Sequence, residues 1–153
     1  MADGDLVVRF GIDALIQGAR RKLDMALTDS GMVSCLDQLV PLSTTKTTLW
    51  SYAADEAGGV TEDWECMILS NEDSSIAVDV ALSSSAANTD SVWVQIPAGR
   101  FFVLWNRKFL VDDDAVAGAA PPSYVNIELV EAAGASGNPI VRVLVFDDTA
   151  ASA

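Results

Sequence analysis

At 153 residues the chain is one domain's worth of sequence with room for an appended arm, and its 50% hydrophobic content is high without forming any membrane-spanning run. Nine Lys and Arg against 22 Asp and Glu give a net charge of −13, which argues against a nucleic-acid backbone or an anionic membrane surface as partner. The apolar excess is better explained by surface buried between subunits, so a homo-oligomer is expected, with a trimer favoured.

The opening MADGDLVVRFG has no basic stretch followed by an apolar one, so no secretory signal is expected and synthesis is assigned to the cytoplasm. Leu6 to Phe10 is a short strand or extended arm. After it, Ile12, Leu15, Ile16, Ala19, Leu23 and Ala26 recur at helical spacing and predict a short helix, with Arg20, Arg21 and Lys22 on its far side. Gly18 weakens that helix, and Asp29-Ser30-Gly31 ends it. Met32 to Thr45 is apolar but aperiodic and contains Pro41, as suits an extended connection.

From Thr44 onward the pattern is that of strands. Thr44–Tyr52 is rich in Thr and aromatics, and Trp64–Ser70 alternates Trp64, Cys66 and Ile68 against Glu65, Met67 and Leu69. Ser75–Ser83 sets Ile76, Val78, Val80 and Leu82 against Ala77, Asp79 and Ala81. In Ser91–Val111, Val92, Val94 and Ile96 oppose Trp93 and Gln95, Pro97-Ala98-Gly99 breaks the run, and Phe101–Trp105 resumes it. Tyr124–Glu131 and Ile140–Phe146 are two more strands, with Gly134–Pro139 read as a hairpin turn. The expected architecture is mainly β: a β-sandwich or jelly roll over 44–148, an N-terminal arm and helix over 1–43, and a disordered tail over 149–153.

The chemistry of catalysis is thinly represented. Without histidine, Ser-His-Asp and Cys-His arrangements and His-containing zinc sites are impossible. Cys35 and Cys66 lack CxxC spacing and read as small apolar residues, although one disulfide between them stays open. Glu65 and Asp79 could form a carboxylate pair, but alternation makes both solvent-facing. Asp112-Asp113-Asp114 attracts a calcium reading and lacks the spacing of a calcium loop. Neither a cofactor nor a metal is expected, and the chain reads as non-enzymatic. Between Lys46 and Arg100 there is no basic residue, while nine carboxylates fall there, which gives solubility or an acidic face for a basic partner.

Trp93, pointing away from Val92, Val94 and Ile96, marks a protein interface, a second-layer core position beneath a loop or the N-terminal arm, or a sugar-stacking platform. Candidate contact residues are Arg20, Arg21, Lys22, Trp93, Arg100, Phe102, Trp105 and Arg107. The run Asp63–Leu82, with Leu69-Ser70-Asn71, followed by Val92–Leu104, with Val94 to Phe101 as its hairpin, resembles small β-sandwich virion proteins of tailed bacteriophages. That resemblance implies a virion location and a capsid decoration (cement) role, bridging subunits of the major capsid protein or another virion protein. A head–tail connector or tail component, and a carbohydrate-binding module using Trp93 or Trp105, are the alternatives.

Overall fold

The computed structural model describes residues 4–16, 19–32, 34–52, 64–84, 91–105, 107–111 and 123–147. Twelve strands account for nearly all of them: β1 Gly4–Ile16, β2 Ala19–Met32, β3 Ser34–Pro41, β4 Thr47–Ser51, β5 Cys66–Asn71 and β6 Val78–Ser83 lead the order. They are followed by β7 Ser91–Ile96, β8 Phe101–Leu104, β9 Lys108–Val111, β10 Ser123–Asn126, β11 Leu129–Gly134 and β12 Ile140–Asp147. The body is two antiparallel four-stranded sheets, ordered β4-β11-β6-β7 and β3-β12-β5-β8. The mainly-β, sandwich-like class expected from the sequence is the one observed.

Alternation explains how the sheets face each other. Val78, Val80 and Leu82 of β6 register with Ile96, Val94 and Val92 of β7, and Val80 and Leu82 also with Ala132 and Val130 of β11. In the other sheet Val141, Val143 and Val145 register with Asn71, Leu69 and Met67 of β5. Together with Trp50, Trp64 and Ile127, most of these residues form one buried cluster. In β4 the pairing with β11 skips Leu49, a bulge that lets adjacent Leu49 and Trp50 both be buried.

Consecutive strands change sheet at β3–β4, β4–β5, β5–β6, β7–β8 and β11–β12. Gly134–Pro139 is therefore not a hairpin within one sheet; it crosses from one sheet to the other, as does Pro97–Arg100. Gly99 takes a left-handed φ of 63° in that turn, where the Arg100 N–H donates to the Pro97 carbonyl at 3.1 Å. All of these except β4–β5 gather at one end of the sandwich, where backbone hydrogen bonds lace them together. Leu42 N–H donates to the Pro139 carbonyl (2.8 Å), Gly134 N–H to Ser43 (2.8 Å), and Gly99 N–H to Asp73 (2.7 Å).

Two expectations for the N-terminal part are corrected. Residues 12–16 and 19–27 are strand and not helix: β1 and β2 pair antiparallel, with Val8 opposite Leu27, Phe10 opposite Met25, and Ile12 opposite Leu23. The physical reason is a second periodicity, Leu6, Val8, Phe10, Ile12 and Leu23, Met25, Leu27, that satisfies a two-residue repeat on both strands. β3 is also not part of the arm, since it pairs along its whole length with β12 as an edge strand. Pro41 ends that edge, where a missing N–H costs no ladder bond. The remaining arm is the hairpin itself, about 43 Å long at ~3.3 Å per residue over the 13 residues of β1. Among the described residues, neither of its strands is packed along any strand of the body. The tail 149–153 lies outside the described residues.

Candidate interaction surfaces

Because β3 runs toward the crossing end, its first residue, Ser34, sits at the other end beside Asp147. The hairpin therefore leaves the body at the end opposite the β3–β4, β5–β6, β7–β8 and β11–β12 crossings. Within it, Arg20, Arg21 and Lys22 lie at register positions opposite Leu15, Ala14 and Asp13, near the tip. Val7, Arg9 and Ala26 are exposed, and Arg9 and Ala26 are register partners.

Trp93 is 53% exposed on the outer face of its sheet, as the alternation requires. Its row runs through Ala81 and Glu131 to Thr48. The Lys46 ammonium stands 4.9 Å from the centroid of the indole and is ion-paired to Glu131 at 3.1 Å. Val92, beside it on edge strand β7, is also exposed. On the outer face of the second sheet, Leu39 and Phe101 are exposed at the two ends of a row that passes through Arg142 and Ser70.

The other candidate contacts separate. Arg100 is exposed in the β7–β8 turn, and Trp105 is half-buried after β8. Phe102 packs against the core cluster. Arg107 is buried at 7% exposure: its guanidinium carbon lies 5.3 Å from the Trp50 ring and 4.8 Å from the Tyr52 ring, and its Nε donates to the Ile127 carbonyl at 3.1 Å. Phe102 and Arg107 thus serve the body's own packing, and the eight residues do not form one surface.

Glu65 and Asp79 are not brought together. Glu65 N–H bonds the Phe146 carbonyl beside the second sheet, whereas Asp79 lies on β6 in the first and accepts from Gln95 Nε2 at 2.8 Å. Cys66 is buried and in no disulfide. Cys35 and Cys66 both register with Phe146 from opposite sides of β12, two strand spacings or about 9.6 Å apart, too far for a disulfide. Among the described residues no cluster of His, Cys, Asp or Glu could hold a metal, and Asp112–Asp114 lies outside them.

Among the described residues two carboxylates have shifted acidity. A two-point hydrogen bond from Arg142, Nε at 2.9 Å and Nη2 at 2.7 Å, holds Asp37 below the usual carboxylate range on the open outer face. Asp73 is lowered by the backbone N–H groups of Ser75 (2.7 Å) and Ile76 (2.8 Å), with the Ser75 hydroxyl at 3.0 Å adding to them. Since its folded value is depressed, Asp73 stabilises the turn above the ordinary carboxylate pKa, and that contribution is lost as pH falls through the folded value. Melting curves between about pH 5 and 2 should show the wild type losing stability more steeply than Asp73→Asn, with the two converging at the acid end. Parallel curves would mean that the Asp73 carboxylate is not what holds the turn.

No protein-family model, curated protein or solved structure matches this chain. What the fold defines is an all-β protein of two four-stranded sheets with a long hairpin projecting from one end.

Proposed function

We propose that the protein is a non-enzymatic virion structural protein of the capsid-decoration type, a homo-oligomer that bridges neighbouring subunits of a phage head. The observation that carries this reading is the β1–β2 hairpin, along which, among the described residues, no body strand is packed. A lone two-stranded hairpin is marginal in water, so its apolar parity needs cover from another molecule. A repeating shell rewards this design, because several weak contacts held on one oligomer become avid. The likeness of Asp63–Leu104 to phage virion sandwiches supports a shell as the partner, and with it a virion location; a neck or tail position would use the same surfaces. The carbohydrate-binding alternative depends on an open indole face at Trp93, and the Lys46 ammonium over that ring competes with a sugar for it.

The test is to mix the purified protein with head shells assembled from the major capsid protein of the same genome. Cosedimentation, with a rise in the temperature at which the shells come apart, is the expected result. A folded, full-length protein that stays in the supernatant and leaves shell stability unchanged would rule the reading out.

A further inference from the structure

The hairpin's charges are arranged along its length. Its tip half, Ile12 to Leu23, contains Asp13, Arg20, Arg21 and Lys22, a net charge of +2 from three basic residues and one acidic. Its root half holds Asp5, Arg9, Asp24 and Asp29, a net −2 from three acidic residues and one basic. The hairpin is therefore neutral overall and dipolar, attached to a body that carries nearly all of the chain's negative charge. Two bodies repel each other, whereas two hairpins do not.

We infer that hairpins from two copies dock face to face, antiparallel, about a two-fold axis through the Phe10–Met25 row. Phe10 is the midpoint of β1, so this axis superposes the hairpins along their full length. The parity that docks contains Val8, Phe10, Ile12, Leu23, Met25 and Leu27, opposite to the parity on which Val7, Arg9 and Ala26 are exposed. On the same parity the row Leu6–Asp29 lies four residues to the root side of Phe10, and the row Ala14–Arg21 lies four residues to the tip side. The two-fold places the Asp29 position of each copy across from the Arg21 position of the other. A parallel arrangement, whether two-fold or the trimer favoured by the sequence, would set each Leu6–Asp29 row against the same row and each Ala14–Arg21 row against the same row, gathering like charge at each end. Charge complementarity selects the antiparallel dimer. The faces are small, on the order of 900 Å² for the pair from their length and two-strand width, so the dimer should dissociate within the micromolar range.

This inference rests on the same uncovered parity of the hairpin, and on the homo-oligomer, of the proposed function, but shell binding plays no part in its test. Light scattering and sedimentation equilibrium of the full chain across micromolar concentrations should show a monomer–dimer equilibrium. Arg21→Asp and Asp29→Arg, made separately, should each raise the dissociation constant at least tenfold, because each puts like charges at both ends of the interface. An equimolar mixture of the two variants should restore dimers, since the heterodimer regains opposite charges at both ends. That rescue is a result which a hairpin that merely failed to fold could not give. A wild type that is monomeric or trimeric throughout, single variants that dimerise normally, or a mixture that stays monomeric would each overturn the inference. A dimer that ignores shells would instead leave it standing and remove the decoration role.

Discussion

Asn71→Asp is expected to destabilise the protein by about 4 kcal/mol, lowering its melting temperature by roughly 15 °C. Asn71 closes β5 at the end where the β5–β6 and β7–β8 crossings lie, and it is 1% exposed. Its Nδ2 donates to the carbonyls of Ile76 (2.8 Å), Ile96 (3.1 Å) and Pro97 (3.2 Å), while its Oδ1 accepts the Asp73 N–H at 3.1 Å. Its backbone N–H bonds the Arg100 carbonyl at 2.8 Å. One side chain thus ties the β5–β6 crossing to the β7–β8 crossing. Two amide hydrogens serve three carbonyls, so one is shared. A carboxylate there would present an oxygen to three carbonyl oxygens in a buried site, which is repulsive as well as unsatisfied. Asn71→Ala leaves the carbonyls without a donor but adds no charge, so about 2–3 kcal/mol is expected. The pair is distinguished by pH. The introduced carboxyl should have a raised pKa, and its protonated form can donate once, so Asn71→Asp should recover part of its deficit as pH falls while Asn71→Ala should not. Equal losses for the two variants, or no pH dependence of their difference, would show that the amide hydrogens are not what the site requires.

Much of the sandwich was legible because its strands alternate cleanly. Val78, Val80 and Leu82, and Val92, Val94 and Ile96, announce both strand and face, and they correctly leave Trp93 outside. Sheet membership was not legible. A turn such as Pro97–Arg100 reads alike whether it joins neighbours in one sheet or crosses between two, since the difference lies in long-range pairing that local residues do not encode. The hairpin was misread because Ile12, Leu15, Ile16, Ala19 and Leu23 fit a helix while Leu6 to Ile12 and Leu23 to Leu27 fit two strands. The sequence signal against the helix was Gly18, poorly suited to a helix interior. Asn71 as a hub, and Arg107 as a buried cation between Trp50 and Tyr52, left no such trace. Their partners come from carbonyls and rings far away in the sequence.

Trp50→Ala should cost about 4–5 kcal/mol and threaten folding at physiological temperature. Trp50 is 4% exposed and sits with Leu49 at the β4 bulge, meeting Trp64 edge to face at 5.9 Å and 88°. The Arg107 guanidinium rests 5.3 Å from its ring. Truncation removes an aromatic burying some 150–250 Å², leaves a cavity, and strips one of two aromatic faces from a buried cation. Trp50→Phe keeps a ring for both contacts and should lose only about 1–2 kcal/mol. Trp64 gives the contrast. It is equally buried, yet among the described residues its Nε1 has no hydrogen-bond acceptor. Trp64→Phe removes that unsatisfied donor while it opens a small void, and these opposed effects should leave the change within about 1 kcal/mol. Urea unfolding of the four proteins, wild type included, tests the ranking. If Trp64→Phe proves as damaging as Trp50→Phe, neither the unsatisfied Nε1 of Trp64 nor the cation beside Trp50 matters, and ring volume alone sets the stability of this end of the core.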